Sequence, residues 1–451
     1  SDDTQDADRD QTPDDCDLCP DGDDRIDRDR NGVIDACQDD CEGFCLTPIR
    51  SLISAGPDHT CTIREEGELR CWGLSRDGRL GYGSDVSRTI GDDEPASSSG
   101  LVTLGDTAID VAVGRAHSCA LLTGGTVRCW GDNSRGQLGL GHTRTVGESD
   151  LPADQPGVSL GSPALQITAG ADHSCALLDG GDVRCWGANE NGQLGQGNIE
   201  DLGDDELPTD AATVSIGGSA VYVSAGNDHT CAVLAIGALR CWGSDADGQL
   251  GLGYIGGDTY IGDDELPETT PTVSVGFLVD HVSAGRFHTC ATSRDHRIRC
   301  WGLGTSGRLG YGNTRDVGTD TPIWFAGDIS VGGTSLRNAA SHNHTCTLRT
   351  DGRVLCWGDN GIGQLGYGNS PEKVGDDETP DAIGPIQLGD TAIAMDAGPN
   401  HTCAVLTSGG LRCWGSSTNG RLARLSILVT MSFRQMRERS PSTVSDVNKP
   451  L

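Results

Sequence analysis

The sequence contains no apolar run long enough to span a bilayer, and it is poor in basic residues. Its 451 residues carry 33 lysines and arginines against 66 aspartates and glutamates, a formal net charge of -33. Because a transmembrane helix needs about 20 consecutive apolar residues, the sequence excludes one. The negative charge would repel phosphate backbones and anionic lipid heads, which argues against nucleic acid as a partner.

An initiator methionine and an apolar leader are also missing from the start of the sequence. The chain opens at Ser1, so we expect either that a signal segment has been removed or that the sequence is a fragment. Fourteen of the nineteen cysteines fall in seven evenly repeated pairs, which suits an oxidising compartment better than a reducing one. The sequence therefore predicts an exported protein, either extracellular or at a cell surface.

One pattern recurs seven times: His-(Ser/Thr)-Cys, nine residues, then Cys-Trp-Gly. The first copy begins at His59 and the last ends at Gly415. The repeated cysteines pair within each copy as Cys61 with Cys71, Cys119 with Cys129, Cys175 with Cys185, Cys231 with Cys241, Cys290 with Cys300, Cys346 with Cys356, and Cys403 with Cys413. Successive copies begin 56 to 59 residues apart, a period typical of repeated supersecondary units. We expect one array in which each unit buries a face against the next.

Each unit is predicted to be a small antiparallel sheet. In residues 165–197, short apolar segments are broken by Gly and Asp, which are strand and turn signals. A hairpin centred on Gly180 places Cys175 and Cys185 opposite each other, within reach of a disulfide after slight adjustment. We expect a further strand from segments such as 213–217 and 272–276. Four short strands per repeat are typical of a propeller blade.

The motif His-(Thr/Ser)-x-Ala-Leu, a Gly turn, Val-x-x-Trp-Gly and Gly-Gln-Leu-Gly resembles the regulator of chromosome condensation repeat, over roughly residues 50–423. This resemblance implies an all-β fold, a seven-bladed β-propeller whose ring is closed by strands from both chain ends. Two cysteines in every blade depart from the usual cytosolic pattern of the family. Because they are always replaced together, we predict one cross-strand disulfide per blade.

A zinc site is the alternative for these cysteines. His59, Cys61 and Cys71 could supply three tetrahedral ligands, but the repeats contain no recurring fourth ligand. We expect the repeated histidine to bond a backbone turn, the tryptophan to serve blade packing rather than to form a ligand platform, and Gly192–Gly195 to form a turn rather than a phosphate loop.

Residues 1–45 differ in composition from the repeats. Residues 1–50 carry seventeen acidic and five basic residues and cannot build a hydrophobic core. Carboxylates at alternate positions before a turn are ligands that Ca²⁺ prefers. The run from Cys16 to Cys37 resembles the calcium-binding thrombospondin type 3 repeat, and Gln38 stands where an EF-hand needs Glu. The predicted calcium ligands are Asp27, Asp29, Asn31, Val33 and Asp35 in the better loop, and Asp6, Asp8, Asp10 and Asp14 in the other. A solvated acidic linker is the alternative, and the pairing of Cys16, Cys19, Cys37, Cys41 and Cys45 stays open.

A second acidic element recurs between the repeats of the predicted propeller, residues 46–422. Its full copies are Asp92-Asp93-Glu94, Asp204-Asp205-Glu206, Asp263-Asp264-Glu265 and Asp376-Asp377-Glu378. Because each leaves its repeat at the same place, we expect these acidic triads to form a negative ring on one face. Such a ring could bind a cationic partner or an ion, or could simply keep the protein soluble.

Residues 423–451 break the pattern of the repeats. Residues 421–451 carry six basic and two acidic residues, and the expected Gly-Tyr-Gly is missing. We interpret this tail as the product of compensating frameshifts near 423 and 440, or as a basic tail that is disordered or touches a membrane. Residues 443–447 are still predicted to supply a closing strand.

No catalytic constellation stands out from the sevenfold sets. The sequence favours a non-enzymatic scaffold that recognises a protein or a carbohydrate through one face of the propeller, with structural calcium in the N-terminal segment. Two alternatives remain: an exported enzyme that uses an acidic cluster, and a purely structural spacer at the cell surface.

Overall fold

The computed structural model describes residues 51–83, 89–253, 260–368 and 371–423. Three predictions lie outside these residues: the calcium loops in residues 1–45, the tail from 424 to 451, and the closing strand at 443–447.

The described residues form seven antiparallel sheets, one for each repeat, in chain order. The strands of the first four blades are β1 Ile53–Ala55, β2 His59–Ile63 and β3 Leu69–Gly73; β4 Ala108–Val113, β5 His117–Leu122 and β6 Val127–Gly131; β7 Ala164–Ala169, β8 His173–Leu178 and β9 Val183–Gly187; β10 Ala220–Ala225, β11 His229–Leu234, β12 Leu239–Ser244 and β13 Tyr260–Ile261. The last three blades contain β14 Val279–Ala284, β15 His288–Ser293 and β16 Ile298–Gly302; β17 Ser335–Ala340, β18 His344–Arg349, β19 Val354–Asp359 and β20 Lys373–Val374; β21 Ala392–Gly398, β22 His401–Leu406 and β23 Leu411–Gly415.

Helices are confined to single turns in the connections. The α-helical turns are α1 Ile323–Ala326 and α2 Pro380–Ile383, and the 3₁₀ turns are Glu65–Gly67, Arg76–Gly78, Ala96–Ser99, Pro152–Asp154, Pro208–Asp210, Pro267–Thr269, Thr305–Gly307 and Thr418–Gly420. None of the helices in these described segments is long and apolar enough to cross a membrane. The predicted all-β class is confirmed.

The first strands of the seven blades surround a central channel. Each contacts the first strand of the next blade, and β21 of the last blade contacts β1 of the first. The backbone N–H of Ala55 in β1 donates to Oδ2 of Asp396 in β21 at 2.7 Å, and the indole N–H of Trp72 donates to the carbonyl of Arg421 at 2.9 Å. The ring is therefore closed by direct packing of the seventh blade on the first.

The hairpins of the blades place the paired cysteines opposite each other, as predicted. In the third blade Leu178 N–H donates to the Asp182 carbonyl at 2.8 Å, and Gly180 and Gly181 both adopt positive φ, which a non-glycine residue would resist. Cys175 then lies directly opposite Cys185 in the strand register.

All seven predicted disulfides are present, one in each blade, with S–S distances of 2.00–2.10 Å. They join Cys61 to Cys71, Cys119 to Cys129, Cys175 to Cys185, Cys231 to Cys241, Cys290 to Cys300, Cys346 to Cys356, and Cys403 to Cys413. Because a bonded sulfur is not a thiolate ligand, the zinc alternative is wrong for these cysteines.

The prediction of a full fourth strand from residues 213–217 and 272–276 is wrong. Val214 makes one backbone hydrogen bond to Val183 at the start of β9, while Leu202 bridges Gly187 at its other end. Two separate segments thus share the outer edge of the third strand, and neither continues along it. Within the described residues only β13 and β20 form a fourth strand, and each has two residues.

The tryptophans of the repeats bind neighbouring blades together. Six of them are at most 1% exposed, and Trp414 is 5% exposed. The indole N–H of Trp130 donates to the Arg79 carbonyl at 3.0 Å, and that of Trp186 donates to the Gln137 carbonyl at 3.0 Å. Since these carbonyls belong to the Gly-x-Leu-Gly turn of the preceding blade, the tryptophans pack between blades, and those segments are turns as predicted.

Candidate functional site: the acidic face and the central channel

One end of every blade contributes to the same face of the propeller. Each first strand ends there, each second strand begins there with its repeated histidine, and each third strand ends there opposite that histidine, as His173 pairs with Gly187. The acidic triads follow shortly after the residue that bridges this end, for example Leu202 bridging Gly187. We call this side the acidic face, and the opposite side, which carries the hairpins, the hairpin face.

The repeated histidines, here called the ring histidines, form a closed hydrogen-bonded ring between blades. Their Nε2 atoms bond the hydroxyl of the next blade at 2.6–3.0 Å: His59 to Ser118, His117 to Ser174, His173 to Thr230, His229 to Thr289, His288 to Thr345, His344 to Thr402, and His401 to Thr60. The prediction that these rings bond a backbone turn is wrong. The hydroxyl that a ring bonds makes such a contact instead, as Ser118 Oγ donates to the Arg79 carbonyl at 3.1 Å.

This arrangement fixes the protonation of the ring histidines. Six of the seven hydroxyls, Ser118 among them, donate their hydrogen to a backbone carbonyl and so accept from an Nε2–H. Burial lowers the pKa of every ring histidine, to about 3 for His173 and His229 and to about 4 for His117, and the remaining four shift in the same direction. The ring histidines are therefore neutral at physiological pH and hold the blades together.

Four acidic triads lie at equivalent places on the acidic face. Within each, carboxylate oxygens of the three residues lie within 4.8 Å of one another. The glycine before a triad packs on the turn of the preceding blade: a Cβ added to Gly203, whose φ is +102°, would meet the Gly136 carbonyl at 2.6 Å. Gly141 N–H also donates to the Gly203 carbonyl at 3.1 Å. The geometry thus places the triads of the first, third, fourth and sixth blades at equivalent positions along one rim.

Close packing of carboxylates changes their acidity. Burial and a hydrogen bond that protonated Glu265 donates to the Asp264 carboxylate raise the pKa of Glu265 to about 7. The pKa of Glu206 is raised by burial and by Asp205, and that of Glu94 is raised chiefly by its hydrogen bond with Asp93. Each glutamate therefore holds a proton more readily than a free glutamate, and a nearby cation would favour its release.

A β-bulge in six blades changes which side chains face the central channel. In the fourth blade Ala220 pairs with Leu234 and Tyr222 with Val233, so Val221 is the extra residue. Bulges re-aim side chains in this way. The residues at the equivalent position are Asp110, Gln166, Tyr222, His281, Arg337 and Ala394. This position carries different chemistry in each of these six blades, unlike the sevenfold sets.

The channel is a cavity of about 460 Å³, and Gln166, Tyr222, His281 and Arg337 contribute to its lining. The Tyr222 and His281 rings lie 4.7 Å apart between centroids. Gln166 is occupied at both ends of its amide, since Nε2 donates to the Val223 carbonyl and Oε1 accepts from Val223 N–H. Asp110 carboxylate oxygens accept from the backbone N–H groups of residues 51, 111 and 167.

Sequence reasoning missed this channel group. It assigned the prominent histidines to the sevenfold set, whereas His281 lies outside it, on a first strand. The available signal was positional: the third residue of the first strand differs from blade to blade in the six blades that carry the bulge. Where repeated positions maintain the blade, a variable position facing a channel is a candidate for function.

Comparison with known proteins supports the family assignment. The model of the "Regulator of chromosome condensation (RCC1) repeat" matches residues 51–79, 108–137, 165–193, 220–249, 279–308, 339–364 and 392–421. The chain is 30% identical over 378 residues to the ultraviolet-B receptor UVR8 of Arabidopsis thaliana, covering 82% of this chain and 78% of that protein. It is 31% identical over 317 residues to the probable E3 ubiquitin-protein ligase HERC6 of Homo sapiens, covering 68% of this chain but only 28% of HERC6.

Solved structures share the fold at lower identity. Human WBSCR16 matches with a TM-score of 0.63 and 21% identity, covering 79% of this chain and 86% of that one. Yeast RCC1 (Prp20), in a structure with Kap60, matches with a TM-score of 0.61 and 20% identity, covering 84% and 82%. With seven repeat matches, seven blades and the likeness to UVR8, this chain belongs to the regulator of chromosome condensation repeat family.

Proposed function

We propose that this propeller is an exported, non-enzymatic scaffold that binds a protein with a cationic surface through its acidic face. The observation that carries the proposal is the placement of four acidic triads around one rim, each held by a glycine on the neighbouring turn. A cluster of like charges on one face attracts a complementary patch and speeds association.

The cationic side chains of this face do not cancel its charge. Arg115 pairs with Asp172, its Nε lying 3.1 Å from Oδ1, and Arg421 pairs with Asp58 at 2.6 Å. Arg115 and Asp58 line the channel, and Arg135, near the triad of the third blade, is itself paired with Asp201 and Glu190. The triads are therefore the main charged feature offered to a partner approaching this face.

The scaffold is suited to present a fixed surface. Seven disulfides within blades and the ring histidines between blades constrain the rim. A pre-organised surface loses little conformational entropy on binding, so more of the contact energy appears as affinity.

The relatives support protein recognition as the class of function. One solved neighbour is yeast RCC1 with Kap60 bound, and another, Prp20p of Saccharomyces cerevisiae, is described with its binding to Gsp1p and histones. Those partners belong to those proteins. For this chain the exported location is our proposal from the disulfides, and the calcium-loaded N-terminal segment is our proposal from the residue pattern.

The test begins with capture of partners from the medium and surface of the source cells, followed by measurement of affinity for the partner identified. The variant Asp204→Asn/Asp205→Asn is compared with Asp179→Asn/Asp182→Asn. Both remove two charges from the third blade, one pair on the acidic face and the other on the hairpin face.

We expect the acidic-face variant to weaken binding about five- to thirtyfold, because rim charges contribute roughly 0.5–1 kcal/mol each in favourable cases. The hairpin-face variant should bind like the parent, and binding by the parent should weaken as salt is added. Equal loss in both variants, or salt-independent binding, would refute the acidic face as the site.

A further inference from the structure

The channel contains a cationic side chain whose charge is not matched by a direct partner. Among the described residues, no carboxylate lies within ion-pair distance of the Arg337 guanidinium and no acceptor within hydrogen-bond distance. Burial lowers the pKa of Arg337, and Tyr222, Asp110 and Asp280 only partly oppose this. A guanidinium stays protonated in proteins and presents several N–H donors in one plane, so this one is poised for an anion.

A second group in the channel also lacks a partner. His281 is 4% exposed, and its Nδ1 atom has no hydrogen-bond partner within the described part of the chain. Burial lowers its pKa to about 3, so the ring is neutral and offers hydrogen bonding rather than charge. Its ring and the Tyr222 ring are tilted by 46° with their centroids 4.7 Å apart, and together they form an aromatic wall of the channel that Arg337 also lines. Buried polar atoms usually have a partner, and one without it calls for an explanation.

The other polar groups at this level of the channel are already used. Gln166 is bonded at both ends to Val223, and the carboxylate of Asp110 accepts three backbone N–H groups. The polar atoms left for a ligand are therefore mainly on the fifth and sixth blades, next to the aromatic wall. A concave site with an apolar wall and a few polar groups in about 460 Å³ is of the size and kind that holds small molecules.

We propose that the central channel binds a small carboxylate-bearing molecule, whose anionic group pairs with Arg337 and whose apolar part lies on the Tyr222 and His281 rings. A planar carboxylate fits the guanidinium with two parallel hydrogen bonds. This site is separate from the acidic face: it is built from first strands near the hairpin end of the channel, and its ligand is anionic rather than cationic.

Benzoate is the probe, because it combines one carboxylate with one ring, and benzamide is its uncharged match. Titration calorimetry on the full chain should give a benzoate dissociation constant of about 0.1–1 mM, as small ligands of this size commonly reach. Benzamide should bind at least about tenfold more weakly. Sulfate, which has charge but no ring, should also bind more weakly than benzoate.

The matched variants are Arg337→Gln and Arg353→Gln. Arg353 lies on the hairpin of the same blade and is exposed. Because Arg337 lies in the channel without a direct counter-ion, its removal should not cost stability, and the melting temperature checks this. Benzoate should bind about tenfold more weakly to Arg337→Gln and unchanged to Arg353→Gln. As a second variant, Tyr222→Leu should weaken benzoate but leave sulfate unaffected.

Four outcomes would overturn the proposal. The first is no benzoate binding by the parent at about tenfold the expected dissociation constant, and the second is equal binding of benzoate and benzamide. The third is unchanged benzoate affinity in both Arg337→Gln and Tyr222→Leu. The fourth is sulfate binding that is as tight as benzoate binding, because the aromatic wall would then contribute nothing to affinity.

Discussion

Removing a single disulfide should destabilise the propeller by a predictable amount. Cys231 and Cys241 join β11 to β12 at a sequence separation of 10, and both are almost fully buried. In the chain-entropy model, closing a loop of this size stabilises the fold by about 2.8 kcal/mol, because the cross-link restricts the unfolded chain. The same loss is expected at each of the seven equivalent bridges.

Two variants separate the covalent effect from packing. Cys231→Ala/Cys241→Ala removes the bridge and both buried sulfurs, so the free energy of unfolding should fall by about 4–5 kcal/mol, of which roughly 1–2 kcal/mol comes from lost contacts. Cys231→Ala/Cys241→Val removes the bridge but refills much of the space. Its loss should be close to about 3 kcal/mol.

Denaturation in urea is the assay, followed by the fluorescence of the buried tryptophans, since Trp242 adjoins Cys241 in β12. The parent and both variants are compared without reductant. A loss below about 1 kcal/mol in the space-filling variant would refute the reasoning, because the bridge would then contribute little. Equal losses in both variants would instead show that sulfur packing is negligible, and would leave the cross-link as the full cause.

Three further predictions concern pH, backbone packing and calcium. Because the ring histidines have lowered pKa values, the unfolded chain binds more protons below about pH 6.5. The free energy of unfolding should therefore fall between about pH 6.5 and about 4, by about 1.4 kcal/mol per pH unit for each histidine that stays neutral. Carboxyls oppose part of this fall, since burial raises the pKa of Asp396 to about 6 and those of Asp245 and Glu265 to about 7. Urea denaturation at about pH 7 and about pH 5 checks this, and equal stability at both would contradict it. Gly203→Ala should destabilise the propeller by more than about 2 kcal/mol, because a Cβ there meets the neighbouring turn. Gly180→Ala, also at positive φ but with open space around it, should cost only about 1 kcal/mol. Equal melting temperatures of the two variants would disprove the packing role of Gly203. Titration calorimetry of the full chain with calcium should show binding, and Asp27→Asn should weaken this binding at least about tenfold without changing the melting temperature of the propeller. A titration that shows no heat of calcium binding would contradict the calcium prediction.

The sequence was sufficient to predict the features that repeat. A cysteine pair equidistant from Gly180 predicts a cross-strand bridge because hairpin geometry places such residues opposite each other, and the structure pairs Cys175 with Cys185. The Asp-Gly-Gly-Asp turn and the buried tryptophans follow from equally local rules. Seven copies of one signal made each of these predictions secure.

Features that depend on contacts between blades could not be predicted in the same way. The His173 ring bonds Thr230, 57 residues away in sequence, and no local pattern identifies that hydroxyl as its partner. The outer edge of β9 is shared by Leu202 and Val214, so a segment with strand composition makes one bond there instead of a ladder.

The channel group escaped prediction for a related reason. A bulge decides that Tyr222, rather than Val221, faces the channel. The simple alternation of side chains along a regular strand does not predict this orientation, because the bulge inserts one extra residue. The proximity of Tyr222, His281 and Arg337 arises only when three blades are set side by side. The repeats in the sequence predict the blades and their disulfides. The side chains that differ between blades can be located in the channel only with the three-dimensional structure.

Peptide mapping of the native, unreduced protein by mass spectrometry tests the disulfide-stapled propeller most directly. We predict seven linked peptide pairs, each joining the two cysteines of one repeat, with no free thiol among those fourteen residues. Free thiols at these positions, or links between cysteines of different repeats, would contradict the stapled propeller and the exported location inferred from it.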